Sequence, residues 1–136
     1  MAAESALAKK LQIRAGHKVL VLDAPPGYLD ELGALPDGAS LAHRATGTFD
    51  VVQLFARNGA ELAKRAQHAI AAARPGAVLW ICWPKQSSHV PTDLDRDRLW
   101  AQLEPLGLRP VASVSIDEVW SALRFRPAGR DDKLRR

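Results

Sequence analysis

Residues 18–28 read K-V-L-V-L-D-A-P-P-G-Y, an apolar run that ends at an acid and a proline-rich turn. Valine and leucine follow one another without alternating polar residues, which is typical of a strand covered on both faces in a parallel sheet. After the turn, residues 28–32 are predicted to form a short helix that Gly33 ends. A buried strand, a turn and a helix in this order indicate an α/β protein.

The same signals recur along the chain. Residues 49–55 and 77–83 form two further apolar runs that are predicted to be strands, and the helical spacing of Leu62, Ala66, Ile70 and Ala73 predicts a helix over residues 60–73, closed by Pro75-Gly76. Weaker patterns predict helices over residues 4–11 and 93–106 and strands over residues 40–44, 111–116 and 120–125.

This order predicts a three-layer, Rossmann-like α/β fold: a mostly parallel sheet of reduced strand number with an antiparallel C-terminal hairpin. A single domain is expected over residues 1–128, and the charged tail, residues 129–136, is expected to be disordered. Because ligands bind beyond the carboxyl ends of parallel strands, we expect residues 23–28, 56–59 and 83–91 to meet at one edge of the sheet.

The composition excludes several classes of protein. The 136 residues include one cysteine, so a disulfide scaffold is excluded and Cys82 is expected to be a buried thiol. No run of residues is long enough to span a membrane and no signal peptide is evident, which indicates a cytoplasmic protein. The net charge of +4 comes largely from the two ends of the chain, so a nucleic-acid partner is permitted rather than indicated.

Four stretches together resemble class I S-adenosylmethionine-dependent methyltransferases over residues 11–126: L-Q-I-R-A-G-H-K-V-L-V-L-D, F-D-V-V-Q-L-F, R-P-G-A-V-L-W and the terminal hairpin. More closely, A-P-P-G-Y, W-P-K-Q-S-S-H-V-P-T-D-L-D-R-D and D-E-V-W-S-A-L-R-F look like a family of small bacterial proteins without an assigned activity. The resemblance implies a methyltransferase-like fold and S-adenosylmethionine as the cofactor to consider.

Departures from the methyltransferase pattern disfavour that cofactor. The turn Ala24-Pro25-Pro26-Gly27 replaces a glycine-rich turn, and its two prolines lack backbone N–H donors. At the end of the second strand, His43 and Arg44 stand where the resemblance implies an acid for the ribose hydroxyls. The span between Asp23 and Asp50 is also too short for a full helix-strand-helix-strand set.

Chemically able side chains concentrate at the predicted edge. An ammonium group, hydroxyls and an imidazole can donate hydrogen bonds to an anion, so the loop after the third strong strand is a candidate anion site, although a solvated connector explains it as well. Asp23 at the end of the first strand either contacts a ligand or satisfies the turn. The candidate ligand-binding residues are Asp23, Gly27, Tyr28, Arg57, Asn58, Trp83, Lys85, Ser87, Ser88 and His89.

Other motifs favour structural roles. Thr92 and Asp95 resemble a helix capping box, and D-L-D-R-D lacks the glycine and terminal glutamate of a calcium loop. The four histidines show no ligand spacing, so neither a metal site nor a catalytic residue is assigned, and a hydrolase is disfavoured because G-x-S-x-G is absent. Trp80 and Trp100 are expected in the core, whereas Trp83 and Trp120 could line a pocket rim.

Three functions remain open. The leading prediction is a non-catalytic protein that binds an anionic small molecule or a protein partner at this edge. The alternative is a small S-adenosylmethionine-dependent methyltransferase with a reduced cofactor pocket. A protein that associates weakly with nucleic acid is the third.

Overall fold

Six strands form one sheet in the order β2-β1-β3-β4-β6-β5 in the computed structural model, which describes residues 5–127. Neighbouring strands from β2 to β4 are parallel, while β6 runs antiparallel to β4 and to β5. This confirms the predicted Rossmann-like fold with its antiparallel C-terminal hairpin. The strands are β1 (Lys18–Leu22), β2 (Ser40–Ala42), β3 (Phe49–Phe55), β4 (Ala73–Pro84), β5 (Leu108–Ser115) and β6 (Trp120–Pro127).

Helices cover both faces of the sheet, so the core has two layers. One face packs against α3 (Gly59–Ala72) and α4 (Arg96–Leu103), and the other against α1 (Ala6–Lys10) and α2 (Tyr28–Leu32). Because strand side chains alternate in direction, Leu20 and Leu22 enter the first layer while Val19 and Val21 enter the second. Single 3₁₀ turns at Gln86–Ser88 and Glu104–Leu106 complete the described elements.

Asp50 holds three strands together at their amino ends. Its Oδ2 accepts a hydrogen bond from the backbone N–H of Lys18 at 2.7 Å, and its Oδ1 accepts one from the Arg74 guanidinium. The Lys18 N–H first, and then Arg74, lower the pKa of the Asp50 carboxyl. Since these residues belong to β3, β1 and β4, the contacts fix the register that brings the carboxyl ends of those strands to one edge.

Predicted boundaries are wrong at β5, β4 and α4. β5 begins at Leu108 rather than at residue 111. β4 begins at Ala73 rather than at residue 77, so Pro75-Gly76 lies inside an irregular strand start instead of beyond a helix end. α4 begins at Arg96, where Asp95 is the N-cap and accepts from Arg98 N at 2.8 Å. Thr92 cannot be that cap, because its hydroxyl accepts from Leu94 N within a turn of its own.

The helices of residues 5–127 are all too short or too polar to cross a bilayer. The tail predicted to be disordered, residues 129–136, lies outside the described residues.

Candidate ligand-binding site

The chain changes direction across the sheet between β1 and β3. From β1 it crosses to β2 on one side, and from β2 it crosses back over β1 to β3 on the other side. The carboxyl ends of β1 and β3 therefore diverge at a topological switch point, which is where ligands bind in open α/β sheets. A cleft of about 590 Å³ opens at this point.

Four elements line this cleft, called the switch-point cleft below. Residues 23–26 form the turn after β1, Phe55 and Arg57 follow from β3, and Trp120 begins β6. The remaining wall is a charged face of α3, with Glu61, Lys64 and Arg65 spaced three and four residues apart. The volume of the switch-point cleft falls within the range of ordinary small-molecule sites.

Two ion pairs organise the charges of the cleft. Arg65 Nε donates to Asp23 Oδ2 at 2.9 Å, which joins α3 to the end of β1. Arg57 Nη2 lies 3.0 Å from Glu61 Oε2, and the Arg57 backbone N–H also donates to Glu61 Oε1 at 2.9 Å. That N–H first, and then the Arg57 guanidinium, lower the pKa of the Glu61 carboxyl. The cleft thus presents fixed charges of both signs to solvent.

Aromatic rings form the floor beneath the charges. Phe55 packs edge-on against Tyr28 with ring centroids 4.6 Å apart and against Trp120 with centroids 5.0 Å apart. The Tyr28 hydroxyl donates to Gln53 Oε1 at 2.8 Å, and Gln53 Nε2 donates to Cys82 Sγ at 3.5 Å. This buried chain of contacts fixes the ring positions.

Tyr28 is therefore a core residue that also borders a second cleft, on the other side of the turn, and its role in ligand binding stays a prediction. Its side chain is 1% exposed, and burial raises the pKa of its hydroxyl. Cys82 is buried as predicted, and burial raises the pKa of its thiol to about 12. Neither group is available as a nucleophile or base near neutral pH.

A second cleft of about 390 Å³ lies on the other side of the same turn. It extends from Asp23 and residues 24–27 to Asp30 of α2 and to His43 beyond β2. Gly27 has a φ of 83°, and a Cβ placed there would meet no atom within 4 Å, so the backbone is open to the cleft. The two clefts share residues 23–26 and meet around that turn.

Asp23 has the left-handed φ of 58°, which is uncommon outside glycine. Aspartate tolerates this conformation better than most residues do. This conformation places Asp23 at the point where the two clefts meet.

The loop after β4 does not line either cleft. Trp83 is 8% exposed and packs in the core with Leu99. Lys85 Nζ donates to Ser115 Oγ and to the carbonyl oxygen of Asp117, both at 2.6 Å, so it braces the β5–β6 hairpin. Ser88 Oγ donates to the carbonyl oxygen of Lys85 at 2.6 Å and closes a turn. These contacts give Trp83, Lys85 and Ser88 structural roles.

The remaining candidates divide between the cleft and the surface. Asp23, Gly27, Tyr28 and Arg57 line one or both clefts. Asn58 is the N-cap of α3, because its Oδ1 accepts from Glu61 N at 2.9 Å. Ser87 and His89 are exposed in the loop and line neither cleft.

Sequence reasoning missed the charged face of α3. Glu61, Lys64 and Arg65 follow a strand that was predicted to end at this edge, and their spacing alone would have placed them on one side of the helix. Asp30 and His43 also line a cleft without having been named as ligand candidates. Within residues 5–127, no group of three or more His, Cys, Asp or Glu side chains is placed to hold a metal ion.

Comparisons with known proteins agree on the fold. No protein-family profile and no curated protein sequence matches the chain. Among solved structures, it is similar to DhpI in its SAH complex, with a TM-score of 0.61 and 14% identity over 91% of this chain and 84% of DhpI. A methyltransferase from Thiobacillus denitrificans in complex with S-adenosyl-L-homocysteine gives 0.56 and 13% over 89% of each chain. A methyltransferase from Aquifex aeolicus gives 0.56 and 15% over 86% and 85%.

These neighbours overturn the prediction of a non-catalytic binding protein, because two of them are S-adenosylmethionine-dependent methyltransferases. DhpI and the Thiobacillus denitrificans enzyme were solved in complex with SAH. The neighbours favour the methyltransferase alternative instead. At such low identity the comparison shows the architecture, and the chain has the α/β, Rossmann-like fold of S-adenosylmethionine-dependent methyltransferases.

Proposed function

We propose that this protein is a small S-adenosylmethionine-dependent methyltransferase that binds its cofactor around the turn of residues 23–27. The main support for this proposal is the position of the two clefts. They meet at that turn, and the larger one opens at the switch point between β1 and β3. The narrower resemblance to a family of small bacterial proteins stays a prediction.

The switch-point cleft suits the amino-acid end of the cofactor. That end carries an ammonium, a carboxylate and a sulfonium, so a complementary site needs charges of both signs. Asp23 and Glu61 are suitable partners for the ammonium group, and Lys64 and Arg57 for the carboxylate. The Phe55 and Trp120 rings offer aromatic surface to a sulfonium cation.

The second cleft suits the adenosine end. Val21 and Leu29 supply apolar surface for a base, while Asp30 and His43 can exchange hydrogen bonds with ribose hydroxyls. In this arrangement Asp30 of α2 takes the role that the resemblance gives to an acid after the second strand. When bound, the cofactor supplies an electrophilic methyl group for transfer to a nucleophile of the substrate.

The proline turn is compatible with this cofactor. Pro25 and Pro26 lack N–H donors, which weakens a phosphate site, but S-adenosylmethionine carries no phosphate and its only anion is a carboxylate. The left-handed conformations that a glycine-rich turn provides are present at Asp23 and Gly27. The prolines also fix the turn in advance, so less conformational entropy is lost on binding.

Isothermal titration with S-adenosylhomocysteine and S-adenosylmethionine tests the binding. We expect a Kd tighter than about 100 μM, or about 5.5 kcal/mol. Asp23→Asn and Trp120→Ala should each weaken binding by about tenfold or more, because each removes a contact inside the cleft. Ser87→Ala is the matched control, since this exposed side chain lies outside both clefts.

Absence of binding at about 1 mM cofactor, with the protein folded by circular dichroism, would contradict the proposal. Catalysis is tested with methyl-labelled S-adenosylmethionine and a small-molecule extract, and we expect label transfer that Trp120→Ala lowers together with affinity. The same assay is run with protein and nucleic-acid fractions as acceptors. Tight cofactor binding without transfer of the methyl label to any of the three fractions would show that the protein binds the cofactor but does not catalyse methyl transfer.

A further inference from the structure

A second polar surface lies on the α4 face of the sheet, apart from the clefts. Trp83, Ser121 and Ser115 stand abreast on β4, β6 and β5. Ser113 follows two residues away on the same face of β5, and Arg96 reaches the same place from the first turn of α4. Together they line an open groove of about 310 Å³, called the serine groove below. We propose that the serine groove binds a small phosphate monoester.

The hydroxyls of the groove are close enough to act together. Ser115 and Ser121 are direct partners in an antiparallel pair, which places their Cβ atoms about 5 Å apart. Lys85 Nζ donates to Ser115 Oγ at 2.6 Å. Because this bond occupies a lone pair, the Ser115 hydroxyl uses its proton elsewhere: it donates to the Asp117 carbonyl oxygen at 3.4 Å, a long bond that a stronger acceptor can replace.

The positive charge beside the serine groove favours an anionic ligand. Arg96 is exposed on α4, and the Lys85 ammonium group lies one hydrogen bond away through Ser115. The described lining contains no carboxylate beside Arg96, whereas the Asp117 carboxylate interacts with Lys85 outside the groove. A phosphate would therefore meet the Arg96 guanidinium and up to three hydroxyl donors without displacing an existing ion pair.

The geometry favours a tetrahedral oxyanion over a planar carboxylate. Arginine binds either anion in a planar fork, but a carboxylate has only two oxygens for that fork. Here hydroxyls from two strands approach from the sheet while the guanidinium approaches from α4, so a phosphate can offer a different oxygen to each. Trp83 adds apolar wall for the organic part of a monoester.

This site is independent of the proposed methyltransferase function. The serine groove and the two clefts have no lining residue in common. The predicted anion site of Lys85, Ser87, Ser88 and His89 contributes only Lys85, which acts through Ser115. The sequence indicated a basic, hydroxyl-rich neighbourhood, but the hydroxyls that face the groove come from β5 and β6.

Amide chemical shifts of the ¹⁵N-labelled protein measure this binding. Inorganic phosphate and glycerol 3-phosphate are titrated at constant ionic strength, with acetate as the carboxylate arm. We expect saturable shifts of Ser113, Ser115 and Ser121 at low millimolar phosphate, stronger with the monoester and absent with acetate. Arg96→Ala should weaken binding by about tenfold.

Arg98→Ala is the matched control, because it removes the same charge from the same helix and its guanidinium contacts Asp93 and Asp95 instead. We expect it to change affinity by less than about threefold. Ser121→Ala, which leaves every cation in place, should weaken phosphate binding as well. Equal losses in Arg96→Ala and Arg98→Ala, equal shifts with acetate, or no saturable shift by about 20 mM phosphate would each overturn the proposal.

Titration with S-adenosylhomocysteine keeps the two sites distinguishable. That ligand is expected to shift the amides of Ala24, Gly27 and Arg57 whether or not phosphate binds. A failure of phosphate binding would therefore leave the methyltransferase proposal standing, and a failure of cofactor binding would leave the serine groove standing.

Discussion

Arg65 on α3 donates from Nε to Asp23 Oδ2 at 2.9 Å, across the mouth of the switch-point cleft. The contact links a helix to the one residue between β1 and α2 that adopts a left-handed conformation without being glycine. Both side chains are partly exposed, at 38% for Arg65 and 45% for Asp23. Such a pair adds little to stability, so the position is better explained by the geometry of the turn and by what its carboxylate can bind.

Substitution of Asp23 separates the conformation of the turn from its chemistry. Asp23→Gly keeps the φ of 58° without strain, whereas Asp23→Ala places a Cβ in a conformation that costs about 1 kcal/mol. Urea unfolding should therefore show Asp23→Ala less stable than Asp23→Gly by about that amount. Both should lose cofactor affinity, since both lack the carboxylate. Wild-type affinity in Asp23→Gly would mean that the turn, and not its acid, is what the ligand recognises.

The buried contact between Tyr28 and Gln53 predicts a strong coupling. Tyr28→Phe removes the hydroxyl that donates to Gln53 Oε1 and leaves that acceptor unpaired in the core, at a cost of about 1–3 kcal/mol. Tyr28→Phe/Gln53→Leu removes both polar groups, so it should be more stable than the sum of the single changes. A double-mutant cycle in urea measures the coupling energy. Simple additivity would show that the hydroxyl and the amide do not interact.

The local sequence pattern was sufficient to predict the strands that cross the core. β3 occupies residues 49–55 as predicted, because a continuous apolar run of that length can be buried on both faces only in the middle of the sheet. The hairpin was also predicted correctly, since β5 and β6 are close in sequence. Gln53 inside that apolar run was the one signal of a buried polar partner, and it could have led to Tyr28.

The composition of the cleft depends on contacts that are distant in sequence. β6 inserts between β4 and β5, so its first residue, Trp120, reaches the switch-point cleft. The same hairpin holds Lys85 through Ser115 and the Asp117 carbonyl, which turns the most polar loop of the chain into a brace. No local pattern distinguishes a lysine that binds a ligand from one that joins two strands. The sequence therefore predicted the residues around the turn after β1 as part of the site, but it also included the loop after β4, which lines neither cleft.

The start of α4 offers a direct test of the corrected helix cap. Asp95→Ala removes the side chain that accepts from Arg98 N at 2.8 Å and should cost about 1 kcal/mol in urea unfolding. Thr92→Ala removes only a bond to Leu94 N within a preceding turn and should cost less than about 0.5 kcal/mol. The reverse order of the two losses would restore Thr92 as the cap.

Glu31 and Asp117 form a carboxyl pair that makes stability depend on pH. Loss of hydration first, and then the hydrogen bond to Asp117, raise the pKa of Glu31 to about 7. Although burial alone would raise the pKa of Asp117, the hydrogen bond from Glu31 and the N–H groups of Trp120 and Val119 lower it. Asp117 Oδ1 accepts from those two N–H groups at 2.7 and 2.8 Å, so the pair joins α2 to the turn that presents Trp120.

The sign of the effect follows from the raised pKa. Glu31 binds a proton more tightly in the folded protein than in the unfolded chain, where the pKa of its carboxyl is about 4.5. Its contribution to stability is therefore fully present below that pH and is lost as the pH rises through about 7. Glu31→Gln does not titrate and keeps a donor for Asp117. Relative to this variant, the wild type should lose stability between about pH 5 and pH 8, by less than about 1 kcal/mol because Glu31 is exposed. Asp30→Asn removes a neighbouring acid of α2 as the control and should keep the wild-type slope. Urea unfolding across this range decides the point, and parallel curves for the wild type and Glu31→Gln would show that the two carboxyls do not share a proton.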